Sequence, residues 1–593
     1  MVEPAGTGGW LLRSPLKPHP YPPTLLHALK KNAESYPDRM ALSEQAPESL
    51  RRTVSFGEFW QMTKKVSEEL KSACKGEPLM ILSGNSIEHA VIRYAAMAAG
   101  IPAAPVSPGY SLLARSYEKL KHVIDVCQPG AIFVQDTAPF EAALNSLQER
   151  APVIAVADAA GWADISYSDW VDGNPDGSTL DPDIDAIDID SPAQVMFTSG
   201  STGMPKAVIH THSNLVANLV QTQQVLSREY DGDDCQAIAS WLPWHHVSGA
   251  NSLQLSLFCG YSHYLDHGRP IPGQEQPTLD ILKEVSVSFY VNVPLGYAML
   301  IDAFERDRGL AENFFKSVRF MIYGGAGIAA ETMQRFDRLS ADIKGVKVPF
   351  ISAYGSTETS GSITFTYFDA DATGLIGLPV PGVEIKLVPC HGKFELRVRG
   401  GSVTPGYIRG NDGVFDDAGF LKVGDLVEWV DEDDFNKGLK FAGRVAEEFK
   451  LASGTWVAAS SLRLQLVDLV APLIQEAVIC GSNRESIGAL VWLNGGACLN
   501  LDSDFDADRP WRSKIVIETI RSAVARHNEL SPGSSTHINR IKLMNEALSA
   551  ENGEISDKGS VNSRLVLSTR SACVDRLYGT DRSEYLAISE KSK

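Results

Sequence analysis

No stretch of eighteen or more uncharged apolar residues occurs in this chain of 593 residues, so none of it reads as a membrane-spanning helix. The opening MVEPAGTGGWLLRSPLKPHPYPP lacks the basic-then-apolar order of a signal peptide and reads as an irregular, proline-rich lead-in. Positive charge is in deficit: 54 Lys and Arg stand against 73 Asp and Glu, a formal charge of −19. That balance argues against general affinity for nucleic acid or an anionic membrane, so any anionic ligand must be met by local donors. The eight cysteines form neither a CxxC pair nor a dense framework, which excludes a disulfide-stapled secreted domain and points to a reducing compartment. The chain ends in EKSK and not in the SKL peroxisomal address, so the cytosol is expected. No internal repeat of fixed period is visible, and nothing in the sequence speaks to the oligomeric state.

What is present is a globular composition, 44% apolar and 21% charged, over a length that exceeds one ordinary core. From Leu25 to about Ala157, short apolar stretches (78–82, 131–134) alternate with longer amphipathic ones such as 86–99, which predicts an α/β architecture with largely parallel sheets. A β-rich region follows over 377–441, where 384–388 and 394–398 alternate strictly between glycines. A last strand is expected over 438–442, and the domain boundary is placed there. Residues 1–442 then form a large N-terminal domain and 443–593 a small mixed α+β one. The Asp-rich segment 172–190 is too polar for a core. Its Asp181, Asp183 and Asp185 have calcium-loop spacing, but Ala186 stands where the turn needs glycine and no glutamate closes the loop.

The strongest local signal is VMFTSGSTGMPKA, residues 195–207, where a buried strand empties into a loop rich in hydroxyls and glycine and ending in lysine. Gly200 and Gly203 let backbone N–H groups approach an anion, Thr198, Ser199, Ser201 and Thr202 add hydroxyl donors, and Lys206 adds a mobile positive charge. This chemistry suits a polyphosphate. The spacing is not that of a Walker A loop, which needs four residues between its glycines and Ser or Thr after the lysine, where this chain has Ala207.

Other clusters are weaker alone. AYGSTETS (353–360) follows an apolar strand over 348–351 and is expected to present Gly355, Thr357 and Glu358 in a turn, where a carboxylate next to hydroxyls suits Mg²⁺. In SWLPWHHVSG (240–249), adjacent histidines rarely point at one metal, so His246 is read as gating a pocket. YGGAG (323–327) contains Gly324 and Gly325, a turn that lets a planar ring near the backbone, and Asp425 in VGDL could accept both ribose hydroxyls.

In this order, the segments resemble the adenylate-forming superfamily of acyl-CoA synthetases, adenylation domains and luciferases, over nearly the whole chain. The resemblance implies an α/β N-terminal AMP-binding domain with a barrel-like β-rich subdomain, followed by a mobile C-terminal domain. It also implies ATP, Mg²⁺ and CoA. By the same resemblance the loop from Thr198 to Lys206 binds ATP phosphates, Tyr354 to Glu358 contacts AMP and Mg²⁺ (Glu358 on the metal), and Asp425 with Arg444 holds the ribose. His246 falls at the junction of acid and pantetheine. GEISDKGS (553–560) matches the motif whose lysine, here Lys558, enters the site for adenylation, and either Glu447 or Glu448 is the hinge. Trp241, Asn292, Tyr323 and Gly324 are expected near the acid.

Segments 81–90, 103–112, 376–389 and 449–457 look like feruloyl-CoA synthases, which ligate CoA to hydroxycinnamic acids. Departures are local. Ala207 replaces a glycine after the loop lysine, where alanine tolerates helical angles. Ala446 replaces a lysine beside the hinge, one residue is added between Lys450 and Gly454, and His245 and Val247–Ser248 differ from the feruloyl-CoA pattern. The implied function is an ATP-dependent ligase forming an acyl-adenylate and then an acyl-CoA thioester. The alternatives are a fatty-acid or other aliphatic acyl-CoA ligase, an adenylating enzyme that loads a carrier protein, and an inactive nucleotide-binding relative.

Overall fold

Three-residue runs such as LMI and AAP, too short to stand alone, become strands because both of their faces are covered. Leu79–Ile81 and Ala103–Pro105 are buried at every residue and pair in parallel. The computed structural model describes residues 1–6, 8–45, 51–114, 116–147, 150–172, 183–199, 203–226, 236–271, 273–325, 327–368, 374–531, 533–549, 552–555, 561–581 and 585–588. Around that pair a seven-stranded sheet runs in the order Pro205–Thr211, Pro192–Ser199, Ala103–Pro105, Leu79–Ile81, Ala131–Asp136, Val153–Ala157, Ile165–Ser166. Only its first pair is antiparallel. The α/β expectation therefore holds. The segment read as amphipathic does not: the Ile87–Ala98 helix is buried on every side, wedged inside the domain with its first turn capped by Ser86. A helix buried all round belongs to the interior of a large domain.

A second sheet has eleven strands. Tyr290–Asn292, Met321–Gly324 and Phe350–Ser356 are parallel, and the sheet then continues antiparallel through Gly361–Phe365, Leu375–Pro379, Leu439–Arg444, Leu421–Trp429, Lys393–Gly400 and Val383–Cys390. The β-rich region is thus continuous with the α/β part. Its last strand extends to Arg444, two residues beyond the expected end. The lead-in is also not irregular. Val2–Pro4 and Trp10–Arg13 form a hairpin that adds to Val383–Cys390, with Trp10 packed 4.9 Å from Phe435. Of the lead-in's prolines, Pro4 ends the first of these strands and the others follow the hairpin, at positions 15–23.

The C-terminal part has a four-stranded sheet of Ile474–Cys480, Ile487–Leu493, Ile538–Met544 and Leu586–Ala587, flanked by the helices Ala459–Leu469 and Lys514–Leu530. Leu451, Val457, Leu462, Val491, Val516 and Ile541 belong to its own apolar core. No helix among the described residues is long and apolar enough to cross a membrane.

Candidate active site

The loop that ends in Lys206 joins two antiparallel strands. Thr198 pairs with Lys206 and Ser199 with Pro205, so Lys206 and Ala207 are extended and not helical. This departs from a strand–loop–helix P-loop, because a strand and not a helix N-terminus follows the lysine. Gly203 has φ +87, a conformation that glycine adopts without strain. Gly200, Ser201 and Thr202 lie outside the described residues, as does Lys558.

Lys206 leads to Glu358 through a residue that the sequence did not single out. Its Nζ stands 5.2 Å above the Tyr407 ring, and the Tyr407 hydroxyl donates to Glu358 Oε1 at 2.9 Å. The Glu358 backbone is held as well, its carbonyl accepting the Thr404 N–H at 2.8 Å. Burial, and then the Glu358 charge, push the Tyr407 phenol up, so it remains a donor at every working pH. The bond keeps a half-buried carboxylate oriented while leaving Oε2 for another partner.

A second group lies four residues back on the same segment. The Tyr354 hydroxyl donates to Asp425 Oδ2 at 2.7 Å, and Arg444 Nε stands 3.4 Å from Asp425 Oδ1, the two residues being paired across neighbouring strands. Burial raises the Asp425 carboxyl above the ordinary range, while Arg444 and Tyr354 oppose the rise. Gly355 is required sterically, since a Cβ there would sit 1.9 Å from the Gly361 carbonyl. Thr357 and Glu358 form a short 3₁₀ turn, Thr357–Thr359, capped by Ser356.

The parallel strands bring in the remaining candidates at their carboxyl ends, where open α/β sheets present ligand crevices. Gly324 pairs with Ala353 so closely that a Cβ would lie 2.8 Å from the Ala353 carbonyl, and Gly325 has φ +80. Asn292 pairs with Tyr323, and Asn292 Oδ1 accepts the Trp241 indole N–H at 3.0 Å, all three side chains being buried. His246 caps the Val247–Cys259 helix by position, with its ring 4.4 Å from that of His245.

Among the described residues no three His, Cys, Asp or Glu side chains gather into a metal cage. A single oriented carboxylate is nonetheless the donor set for Mg²⁺, which keeps several waters and completes its shell with substrate phosphates. Glu358 fits that ion.

The AMP-binding enzyme model matches residues 29–408, and the AMP-binding enzyme C-terminal domain model matches 451–582. This chain belongs to the AMP-binding enzyme family. It is similar to Probable CoA ligase CCL8 of Humulus lupulus (27% identity over 326 residues, 51% of each chain). It is also similar to the long-chain-fatty-acid–CoA ligase FadD15 of Mycobacterium bovis (24%, 85% of this chain and 88% of that one). A third relative is 4-coumarate–CoA ligase-like 9 of Arabidopsis thaliana (24%, 64% and 66%). The matched segment thus spans about half the length of the hop protein and most of the mycobacterial one. Its fold is that of ATP-bound MatB from Rhodopseudomonas palustris, with a TM-score of 0.69, 20% identity, and 92% and 99% of the two chains covered. CoA ligases of the AMP-binding family are adenylate-forming enzymes that use ATP, Mg²⁺ and CoA.

Among the described residues, the two parts of this AMP-binding enzyme meet near Gly203 and at the connecting segment. Leu565, from the Ser563–Thr569 helix, has its Cδ2 3.5 Å from where a Cβ on Gly203 would stand and its Cδ1 3.2 Å from one on Gly553. Described residues flanking 556–560 on both sides therefore lie close to Gly203. Glu554, nearly fully buried, clamps that flank: it accepts from Arg570 at 2.7 Å, the Thr569 hydroxyl at 2.6 Å and the Ser549 N–H at 2.8 Å. At the connecting segment, Glu447 accepts from the Ser460 hydroxyl. Glu448 is buried between Lys393 Nζ at 3.2 Å and the Trp456 indole at 2.6 Å, and Trp456 stacks on His391 at 3.9 Å. Of the two hinge candidates, Glu448 is the one tied to the N-terminal part. Nothing in the sequence near Tyr407 or Lys393 marks their contacts, because the partners Glu358 and Glu448 are about fifty residues away along the chain.

Proposed function

We propose that this AMP-binding enzyme is an ATP-dependent acid–CoA ligase that adenylates a hydroxycinnamic acid, with ferulate the first candidate, and then transfers the acyl group to CoA. The observation that carries the reading is the convergence of Lys206 with Glu358 through Tyr407 and of Tyr354 with Asp425 and Arg444, on one strand and the turn that ends it.

A carboxylate is a poor acyl donor because oxide does not leave. Its attack on the α-phosphorus of ATP expels pyrophosphate and makes AMP the leaving group for the next step. The protein needs no nucleophile for this; it positions the reactants and neutralises charge. Lys206 and the loop donors hold the departing phosphates. Asp425 accepts from the ribose hydroxyls with Arg444 beside it, Tyr354 orients Asp425, and the Gly324–Gly325 turn gives the adenine a flat backbone wall. Mg²⁺ on Glu358 would supply positive charge to the phosphates. Lys558, carried on the flank clamped by Glu554, meets the α-phosphate and the attacking oxygen. Trp241, Asn292 and Tyr323 line the acid's side, and His246 stands where pantetheine meets it.

In the second half-reaction the CoA thiolate attacks the acyl carbon and AMP leaves. Lys558 must then withdraw, so the C-terminal domain, starting near residue 443, turns about Glu447. The hydroxycinnamate assignment draws support from the segments shared with feruloyl-CoA synthases. The FadD15 match favours, as the second reading, an aliphatic acid. The cysteines among the described residues are without disulfide partners, which suits a reducing compartment, and we place the enzyme in the cytosol.

The test is a panel of ferulate, p-coumarate, caffeate, benzoate, octanoate and palmitate, assayed for pyrophosphate release with and without CoA. Preference for the hydroxycinnamates is expected, and preference for octanoate or palmitate would transfer the assignment to the aliphatic class. Lys558→Ala is expected to slow adenylation by roughly 10²–10³ while a supplied acyl-adenylate still yields thioester. Equal loss in both half-reactions would remove the two-pose scheme.

A further inference from the structure

Arg93 sits in the wholly buried Ile87–Ala98 helix, and no carboxylate pairs with it among the described residues. A desolvated guanidinium is costly where an apolar side chain would pack, so its bonds deserve tracing. Nη1 donates to the Trp244 carbonyl at 3.1 Å, and Nη2 donates to Gln194 Oε1 at 2.5 Å. The same oxygen accepts from the Gln254 amide at 3.1 Å. Gln194 Nε2 is 2.8 Å from His210 Nδ1, and His210 Nε2 is 2.6 Å from the Thr357 carbonyl. Arg93, Gln194 and His210 are each 1% exposed or less.

The polarity of this chain is determined from its far end. A carbonyl can only accept, so His210 Nε2 carries the proton and Nδ1 accepts from the Gln194 amide N–H. The Gln194 oxygen must then face the arginine, as it does. Burial pushes the imidazole down to about 4, so it is neutral, and pushes Arg93 down to about 10, where it stays charged. Every bond thus points the same way, from a buried cation to the backbone of the residue before Glu358, and such chains polarise cooperatively.

We propose that Arg93, Gln194 and His210 are positioning residues, forming a one-way hydrogen-bond relay that ties the Thr357–Glu358 turn to the segment bearing His245 and His246. The relay presets the Glu358 carboxylate and links its place to that of the acid-side wall. It rests on the reading above in which Glu358 meets the ion on the phosphates.

The test compares His210→Phe and Gln194→Met with Glu358→Gln, measuring Mn²⁺ affinity by electron paramagnetic resonance in the presence of a non-hydrolysable ATP analogue. Amide hydrogen exchange of residues 356–360 is followed in the ligand-free protein. Both relay variants are expected to weaken Mn²⁺ binding by about 10-fold and to speed exchange at Ser360, whose N–H bonds the Thr357 carbonyl. Loss in Glu358→Gln with no change in either relay variant would overturn the relay and leave the functional reading standing. Unchanged Mn²⁺ affinity in Glu358→Gln would overturn both. Should a variant fail to fold, nitrogen NMR of wild-type His210 still decides: the Nε2–H tautomer supports the relay, and Nδ1–H refutes it.

Discussion

Replacing Tyr407 with phenylalanine removes one oxygen and leaves the rest of its surroundings in place. The Tyr407 backbone is bridged to Val208 and its N–H bonds Asn411 Oδ1 at 2.7 Å, so the position of the ring does not depend on the hydroxyl. What is lost is the bond to Glu358 Oε1 at 2.9 Å. Hydrogen bonds to charged groups contribute about 1.5–3 kcal/mol, and Glu358 is half-buried and partly screened, which lowers the expectation to about 1–2 kcal/mol. That corresponds to a drop of roughly 5- to 30-fold in kcat/KM for MgATP. Tyr407→Ala also removes the ring beneath Lys206, for a further loss of about 0.5–1 kcal/mol. Acid-dependent ATP–pyrophosphate exchange, with Mg²⁺ titrated, measures both variants, and thermal melting reports the fold. A Phe variant with wild-type kcat/KM would show that Glu358 needs no orientation from Tyr407. A loss matched by a collapse of the melting temperature would show that the residue acts on the fold and not on the site.

Two further substitutions separate site from scaffold. Asp425 has its carboxyl raised by burial, so the folded state binds its proton more tightly than the unfolded one. The stability this gives is present at low pH and is lost as pH rises through the folded value. Asp425→Asn is therefore expected to equal or exceed the wild type in urea stability at pH 7 while the KM for ATP rises; reduced stability with an unchanged KM would contradict the assignment. At Glu554, burial opposes ionisation, but Arg570, Thr569 and the Ser549 N–H outweigh it and hold the carboxyl down to about 2. Its contribution is present above the unfolded carboxylate range and is lost as pH falls through about 2. Glu554→Gln leaves the nearly buried Arg570 with only the more distant, exposed Glu546 carboxylate and two backbone carbonyls, and is expected to cost about 2–3 kcal/mol in the C-terminal part, flattening acid unfolding and slowing adenylation more than thioester formation. Unaltered unfolding by acid would refute the clamp.

The readings made from sequence succeeded where a residue type is bound to local geometry. Strand periodicity and the glycines at Gly203 and Gly325, both at positive φ, report backbone requirements within a few residues, whereas Gly355, expected in a turn, lies in the Phe350–Ser356 strand because Ser362 and Gly361 pair with it and its neighbour. The readings failed where the environment is supplied from afar. The segment 86–99 has some polar residues and reads as amphipathic, yet Glu88 is buried because Arg52 and Gln135 donate to it from afar. The lead-in reads as irregular because its prolines mask a short hairpin, whose partner strand begins at Val383. Ala207 was open to helical angles until its pairing with Phe197 made it extended.

The chain alone determined the repertoire: α/β strands and helices, and the segments proposed to meet polyphosphate, metal and ribose, since each is written in contiguous residues. Only tertiary structure decided how these are joined. The ring of Tyr407 between Lys206 and Glu358, the Arg93 relay to Thr357 and the hold of Lys393 on Glu448 each unite residues dozens to more than two hundred positions apart. A side chain's partner at such separation depends on how whole sheets pack, and no local pattern encodes it.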